Sequence, residues 1–387
     1  MTAYSGRLEL TWTNKHLRLL AHDDGNSYEW VDPSDHRVSE VRLLRDAAQV
    51  GQVHPDSERA RDNLLIRGDA LNALTSLVEL PEFATEYRGK VRLVYIDPPF
   101  NTGQAFANYD DNLEHSVWLT MLRDRLIQIR ELLVPGGTVW VHLDDRESHR
   151  ARCVLDEIFG WDGFVGEVIW ESTDSPRMDA ETFYLRHNTI YVYAKPGAPP
   201  AIAKTPISAD DLPAHYNKVD EQGRPYYLKP LRAMGGQGDS REARPNLYYP
   251  LTAPDGTTVL PIRPDGTDGA WRWSPAKVEE ESWRIEWVKG RHGWNPYFRV
   301  YPDHGGTPPS TLWRHDEVGS SRTAKAEVKA ISGGASFDTP KPERLLKRII
   351  EIASNPGDIV LDCFVGSGTT AAVAHKMGRR WVAVEWS

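Results

Sequence analysis

Cysteine is scarce in this 387-residue chain: Cys153 and Cys363 stand apart, with no second thiol or histidine at metal-ligand spacing. That leaves no disulfide framework and no structural zinc motif, and it suits a reducing compartment. An excess of positive charge is also lacking. With 46 Lys and Arg against 55 Asp and Glu the net charge is −9, which excludes a uniformly basic nucleic-acid coat while leaving room for a local basic groove. No apolar run approaches the roughly 18 to 20 residues of a spanning helix. The opening residues MTAYSGRLELTWTNK lack a charged leader followed by an apolar stretch, so the expectation is a cytoplasmic chain without a membrane segment. Tryptophan, by contrast, is plentiful. Eight of the 14 lie between Trp161 and Trp313, where periodicity is poorest, which marks that region as built differently from the rest.

Residues 1–60 mix short apolar patches with polar turns and carry no motif with evident chemistry. From Asn63, NLLIRGDALNALTSL reads as a short strand, a turn at Gly68 and Asp69, and a helix with Leu71, Leu74 and Leu77 on one face. Val91 to Ile96 is an apolar run, but for Arg92, ending in Asp97-Pro98-Pro99-Phe100, the pattern of a buried parallel strand meeting a loop. Trp118, Leu119, Leu122, Leu126, Ile129, Leu132 and Leu133 recur at helical spacing, with a stop at Pro135-Gly136-Gly137. A strand (TVWVHLDD), a helix from Glu147 to Phe159 and two further strands (VGEVIWE, NTIYVYAK) complete a unit over 61–196. From 197 to 336, Pro and Gly punctuate short aromatic pieces such as RPNLYYP and AWRWSP, which predicts an irregular inserted domain. Residues 337–387 return to regular pattern: an amphipathic helix over Lys341–Ser354, a strand over Asp358–Phe364, a glycine turn, a helix through His375 and the strand WVAVE. Alternating buried strands and helices predict a doubly wound α/β sheet with helices on both faces. A parallel strand so close to Ser387 calls for a further helix, so the natural chain is expected to continue.

Two motifs carry chemistry. Asp362 to Thr370, DCFVGSGTT, lies between a strand and a helix, where glycines let the backbone approach a ligand and the helix start offers free N–H groups. Glu385, at the end of the next strand, is placed to accept ribose hydroxyls. A ligand-free glycine turn is the plain alternative, and a nicotinamide dinucleotide site lacks room for its second half. In Asp97-Pro98-Pro99-Phe100, successive prolines remove N–H donors, so the loop presents carbonyl oxygens beside a carboxylate and a stacking ring. The plain alternative there is a rigid strand exit. Together the motifs suit a base amine attacking a sulfonium methyl: acceptors gripping its N–H groups favour the pyramidal nitrogen whose lone pair can attack.

These motifs, with NLLIRGDALNAL, YIDPPFNTGQAF, the RPNLYYP and WRWSP pieces and FDTPKPERLLKRIIEIASNPGDIVLDCFVGSGTT, resemble the amino-group DNA methyltransferases that use S-adenosylmethionine. The order, catalytic motif first and cofactor motif last around an insert, is similar to their permuted beta class. The combination looks like the modification subunits of type III restriction systems and covers nearly the whole chain from Asn63. The resemblance implies a Rossmann-like sheet in circularly permuted order with an inserted target-recognition domain. It implies that Asp97 and the Pro98 carbonyl hold the target amine, with Pro99 in the same motif, and that Phe100, where Tyr is common, stacks on the base. Asp362, Phe364, Gly366, Ser367 and Gly368 would surround the cofactor's methionine part, Glu385 its ribose, Asp69 its adenine and Lys341 its carboxylate. For Lys341, a solvated helix start is the competing reading.

The leading expectation is therefore a site-specific DNA adenine N6 methyltransferase acting on a base flipped from duplex DNA. Cytosine N4 methylation uses the same logic, although Ser is then commoner in place of Asp97. An RNA guanine N2 enzyme would place the cofactor motif first, and an inactive DNA-binding modification subunit sits poorly with intact Asp97, Gly366, Gly368 and Glu385. The resemblance also implies a homodimer and a translocase-nuclease restriction subunit as partner. In the insert, Arg241 and Arg244, within the glycine-rich stretch Gly235–Asn246, are the candidate phosphate contacts, while Trp271, Trp273, Trp283 and Trp287 are expected mostly to form its core.

Overall fold

The computed structural model describes residues 9–21, 28–54, 62–101, 114–175, 182–205, 212–235, 238–291, 293–302, 306–331, 333 and 337–386. The chain divides into two units, Met1–Ala203 with Pro309–Ser387, and Lys204–Pro308. The first opens with β1 (Arg18–Ala21), β2 (Tyr28–Val31), β3 (Leu64–Arg67), α1 (Ala70–Glu79), α2 (Pro81–Tyr87), β4 (Val91–Ile96) and α3 (His115–Leu132). It continues through β5 (Leu133–Leu143), α4 (Ser148–Phe159), β6 (Phe164–Glu171) and β7 (His187–Ala194). The second unit holds β8 (Lys218–Val219), β9 (Pro225–Pro230), β10 (Leu251–Thr252), β11 (Thr258–Val259), α5 (Pro275–Glu280), β12 (Ile285–Gly290) and β13 (Gly293–Val300). The first unit then resumes with β14 (Leu312–Trp313), α6 (His315–Val318), α7 (Ser321–Ile331), α8 (Glu343–Ala353), β15 (Ile359–Asp362), α9 (Thr369–Lys376) and β16 (Arg380–Glu385).

Among the described residues, the first unit is built on one sheet in the order β14-β6-β7-β5-β4-β15-β16-β3. Only β7 runs against the rest of it. In β4, Val94 and Ile96 face a core shared with α1, α3 and α4, Leu93 and Tyr95 face a core shared with α8 and α9, and Arg92, near the start of the strand, pairs with Asp358 at 3.8 Å. A strand covered on both faces leaves a polar side chain a way to water only near its ends, as at Arg92. Leu74 and Leu77 of α1 are fully buried, and truncating either to Ala would cost about 2–5 kcal/mol. This is the doubly wound sheet with helices on both faces that the alternating pattern predicts.

Several boundaries differ from the sequence reading. The helix ends at Leu132, and Pro135-Gly136-Gly137 lies inside β5 instead of separating two elements. There the pairing with β4 jumps from Leu133 opposite Val91 to Thr138 opposite Leu93, and Gly136, at φ +73°, makes the local turn. Helix α8 starts at Glu343 after Pro342, so Lys341 precedes the helix. The second unit is narrower than 197–336. It closes at the Thr205–Thr307 bridge, with hydrogen bonds of 2.8 and 3.0 Å, and β14, α6 and α7 belong to the first unit. A two-residue edge strand inside TPPSTLWRH shows no periodicity to read. Residues from the 1–60 stretch dock on α3: Arg18 pairs with Asp124 at 2.8 Å and the Trp12 indole donates to Thr120 at 2.8 Å.

The second unit carries the sheet β12-β13-β9-β8, all antiparallel. Leu231, Trp271, Trp273 and Phe298 form its core. Trp283 departs from the expectation: it is exposed and stacks on Tyr301 at 5.9 Å.

Candidate active site

Four neighbouring strands deliver the candidate residues of the first unit at their C-terminal ends, the position where open α/β sheets bind ligands. Asp97 follows β4, Phe364 follows β15, Glu385 closes β16 and Asp69 follows β3, and these strands are adjacent in the order β4-β15-β16-β3.

The Asp97 loop is held from several sides. The Lys341 ammonium donates to the Asp97 carboxylate and lies 5.3 Å from the centre of the Phe100 ring. The Trp118 indole donates to the Pro99 carbonyl at 2.7 Å. Of the carbonyl oxygens that the proline pair leaves without a local partner, that of Pro99 is taken by Trp118 from α3, and among the described residues the Pro98 carbonyl accepts no hydrogen bond. Phe100 packs against the imidazole of His142 at 5.8 Å, and His142 shares a 2.8 Å hydrogen bond with the Tyr95 hydroxyl. Burial, with the Lys341 charge adding to it, holds His142 well below its usual value, so the ring is a neutral support beneath Phe100. Thr102 to Phe106 of the sequence match lie outside the described residues.

In the glycine loop, Gly366 and Gly368 have φ of +52° and +83°, where L side chains are strained. A Cβ on Gly368 would meet nothing within 4 Å, so this face of the loop is open, whereas one on Gly366 would meet Phe337 at 3.0 Å. Ser367 shares a 3.0 Å hydrogen bond with Thr369. Glu385 accepts from the Gly366 N–H at 2.7 Å, tying β16 to the loop. Asp362 works from inside: one oxygen accepts from Thr370 at 2.6 Å and the other from the Phe364 N–H at 3.0 Å, with 3 % of the residue exposed. It shapes the turn and does not line the surface, as the resemblance would have it do. Burial pushes its carboxyl up to about 7 against those two hydrogen bonds, with repulsion from Asp97 and Glu385 adding to the shift.

Asp69 caps α1, accepting from the Asn72 N–H at 3.1 Å, and pairs with Arg125 at 2.6 Å. Beside this pair lies a pocket lined by Leu19, Tyr28, Leu71 and Asn72 among others. The sequence reading missed Trp118, Arg125, His142 and Glu147. Arg125 had a signal, a charge on the stripe set by Trp118, Leu122 and Ile129. Trp118 and His142 gave none, because a buried aromatic and a core polar group look alike in sequence.

In the second unit, Arg241 and Arg244 are both exposed. Arg241 already donates to Asp268 at 2.8 Å and covers the Tyr248 ring at 4.3 Å. Gly236 and Gln237 of the glycine-rich stretch lie outside the described residues. Among the described residues no helix is long and apolar enough to cross a membrane, and no group of three His, Cys, Asp or Glu is placed to hold a metal.

Residues 91–387 match a family model described as DNA methylase. The chain belongs to the DNA methylase family. It is 29% identical over 401 residues to the type III restriction-modification enzyme EcoPI Mod subunit of Escherichia phage P1, covering 90% of this chain and 61% of that one. It is 30% identical over 344 residues to the StyLTI Mod subunit of Salmonella typhimurium, covering 80% and 49%. The chain therefore spans about half to three fifths of the length of these two relatives. With the type II methyltransferase M.KpnI of Klebsiella pneumoniae it shares 30% identity over 301 residues, covering 72% and 70%. Among solved structures, the cytosine-N4-specific PvuII DNA methyltransferase aligns at 15% identity with a TM-score of 0.44, covering 84% of this chain and 83% of that one.

Proposed function

We propose that the chain transfers a methyl group from S-adenosylmethionine to the exocyclic N6 amine of an adenine flipped out of duplex DNA. The observation that carries this reading is the adjacency of the Asp97 loop and the glycine loop at the ends of neighbouring strands β4 and β15. When bound, the cofactor supplies an electrophilic methyl on a sulfonium. The residues present suit such a group: Gly368 brings open backbone, Glu385 offers a carboxylate for the ribose, and the pocket beside Asp69 takes the adenine.

The chain's own part is to make the amine nucleophilic. Its nitrogen lone pair is delocalised into the base, and Asp97 with the Pro98 carbonyl grips its two N–H groups in the pyramidal form that can attack. Phe100 holds the base by stacking. The amine's surplus proton then lies in the hydrogen bond to the Asp97 carboxylate. Asp97, in place of Ser, supports adenine as the target. The relatives named Mod subunits support a restriction subunit as partner, and the motif order supports a homodimer, which light scattering tests. The relatives named as restriction-modification enzymes support a cytoplasmic setting.

Incubation with methyl-labelled cofactor and either duplex DNA or RNA, then digestion to nucleosides, tests the reading. Labelled N6-methyl-2′-deoxyadenosine from DNA alone is the expected product; labelled N4-methyl-2′-deoxycytidine or a labelled ribonucleoside from RNA would replace it.

A further inference from the structure

Glu147 occupies the N-cap of α4, a position that favours Ser, Thr, Asp or Asn, yet its side chain makes no capping hydrogen bond. It turns inward instead and is fully buried. A carboxylate persists there only where donors surround it. One oxygen accepts from the Asn101 amide at 2.8 Å and also meets the His115 imidazole; the other accepts from Arg150 at 3.0 Å. Asn101 and His115 are the residues of the Asp97 loop and of α3 between which 102–113 run. Asn101 directly follows Phe100 and has φ +61°, a left-handed conformation that Asn tolerates better than most residues. Holding its side chain therefore fixes the direction in which the chain leaves the Phe100 ring and the proline pair.

We propose that Glu147 is a positioning residue for methyl transfer: through Asn101 it sets the Asp97–Phe100 loop in the geometry that grips the target amine. The proposal rests on the amine-methylation reading, and it assigns Glu147 no contact with substrate. Misplacing a reacting group by about 1 Å costs about a hundredfold in rate. A helix-capping or purely structural role would instead lower stability and leave the chemical step alone.

The test compares the full chain with Glu147→Gln, which keeps the shape but replaces one acceptor oxygen by a donor, and with Asn101→Ala, which cuts the same contact from the loop side. Single-turnover methyl transfer is expected to fall about a hundredfold in each. Affinities for cofactor and for DNA should stay within twofold, and the double variant should fall no further than either single one. Hydrogen exchange at the Phe100 and Asn101 amides should quicken at least tenfold in both. A folded Glu147→Gln with a transfer rate within twofold of the parent, or with unchanged exchange at these amides, overturns the proposal. If Glu147→Gln does not fold, Asn101→Ala decides by the same criteria. If the parent itself transfers no methyl to DNA, the methylation reading fails, and the exchange result alone decides whether Glu147 sets the loop.

Discussion

The Lys341 ammonium sits on the Asp97 carboxylate and over the Phe100 ring, the two groups proposed to receive the target base. An ammonium on a carboxylate and an aromatic face presents N–H donors to the acceptor that a base amine needs, so the lysine holds the amine's place. For the base to bind, Lys341 must leave, and the cofactor's carboxylate is an anionic group able to draw it away.

Lys341→Met should therefore ease capture of the flipped base when no cofactor is present. With 2-aminopurine next to the target adenine, which keeps the N6 amine, fluorescence titration should show about fivefold tighter capture by the variant, the worth of a partly exposed ion pair. Equal titrations would mean that the lysine does not compete.

Gly368→Ala should weaken cofactor binding with a modest loss of stability. The new methyl meets no protein atom within 4 Å, so packing does not oppose it, but φ +83° is strained for any L side chain by about 1–3 kcal/mol. Calorimetry with the cofactor and a melting curve separate the two effects; a variant that binds cofactor as the parent does would place the methionine part elsewhere.

Asp362 should make stability fall with rising pH. Its carboxyl lies at about 7 in the folded chain and at about 3.9 in an unfolded one, so the folded state binds more protons between those values. The group's contribution is complete below the unfolded value and is lost as pH rises through the folded one. Denaturant unfolding at pH 4.5, 6 and 8 should show Asp362→Asn gaining on the parent as pH rises, and parallel curves would show that the carboxyl stays ionised.

Arg244→Gln should lower affinity for all DNA sequences alike and flatten the slope of log affinity against log salt by about one unit. Arg241→Gln should change the slope less, because Asp268 already neutralises Arg241. A larger slope change from Arg241 would show that DNA displaces Asp268.

The sequence revealed those parts of the fold whose pattern follows from burial on two faces: β4, β15 and β16 are short apolar runs ending in a chemical motif, and the amphipathic α1 and α8 cover them. What stayed hidden depends on partners far apart in sequence. Asp97 and Lys341 meet across 244 residues, and Asn101 reaches Glu147 across 46. Asp362 reads as a ligand in a glycine motif, and only its burial and two short local hydrogen bonds turn it into a shaper of that loop. The insert's end was misread because its Pro and aromatic composition runs on past Pro308 into the edge strand β14.

In the proposed reaction Asp97 acts on the reacting amine and not on the cofactor. The measurement is the yield of N6-methyl-2′-deoxyadenosine in digested duplex DNA from the parent and from Asp97→Ala, alongside calorimetric affinity for the cofactor. Cofactor affinity should stay within about threefold of the parent and transfer should fall by about a hundredfold to a thousandfold, the range seen for losing one oriented group at a reacting centre. Substantial transfer by Asp97→Ala would contradict this role, as would loss of cofactor binding together with activity.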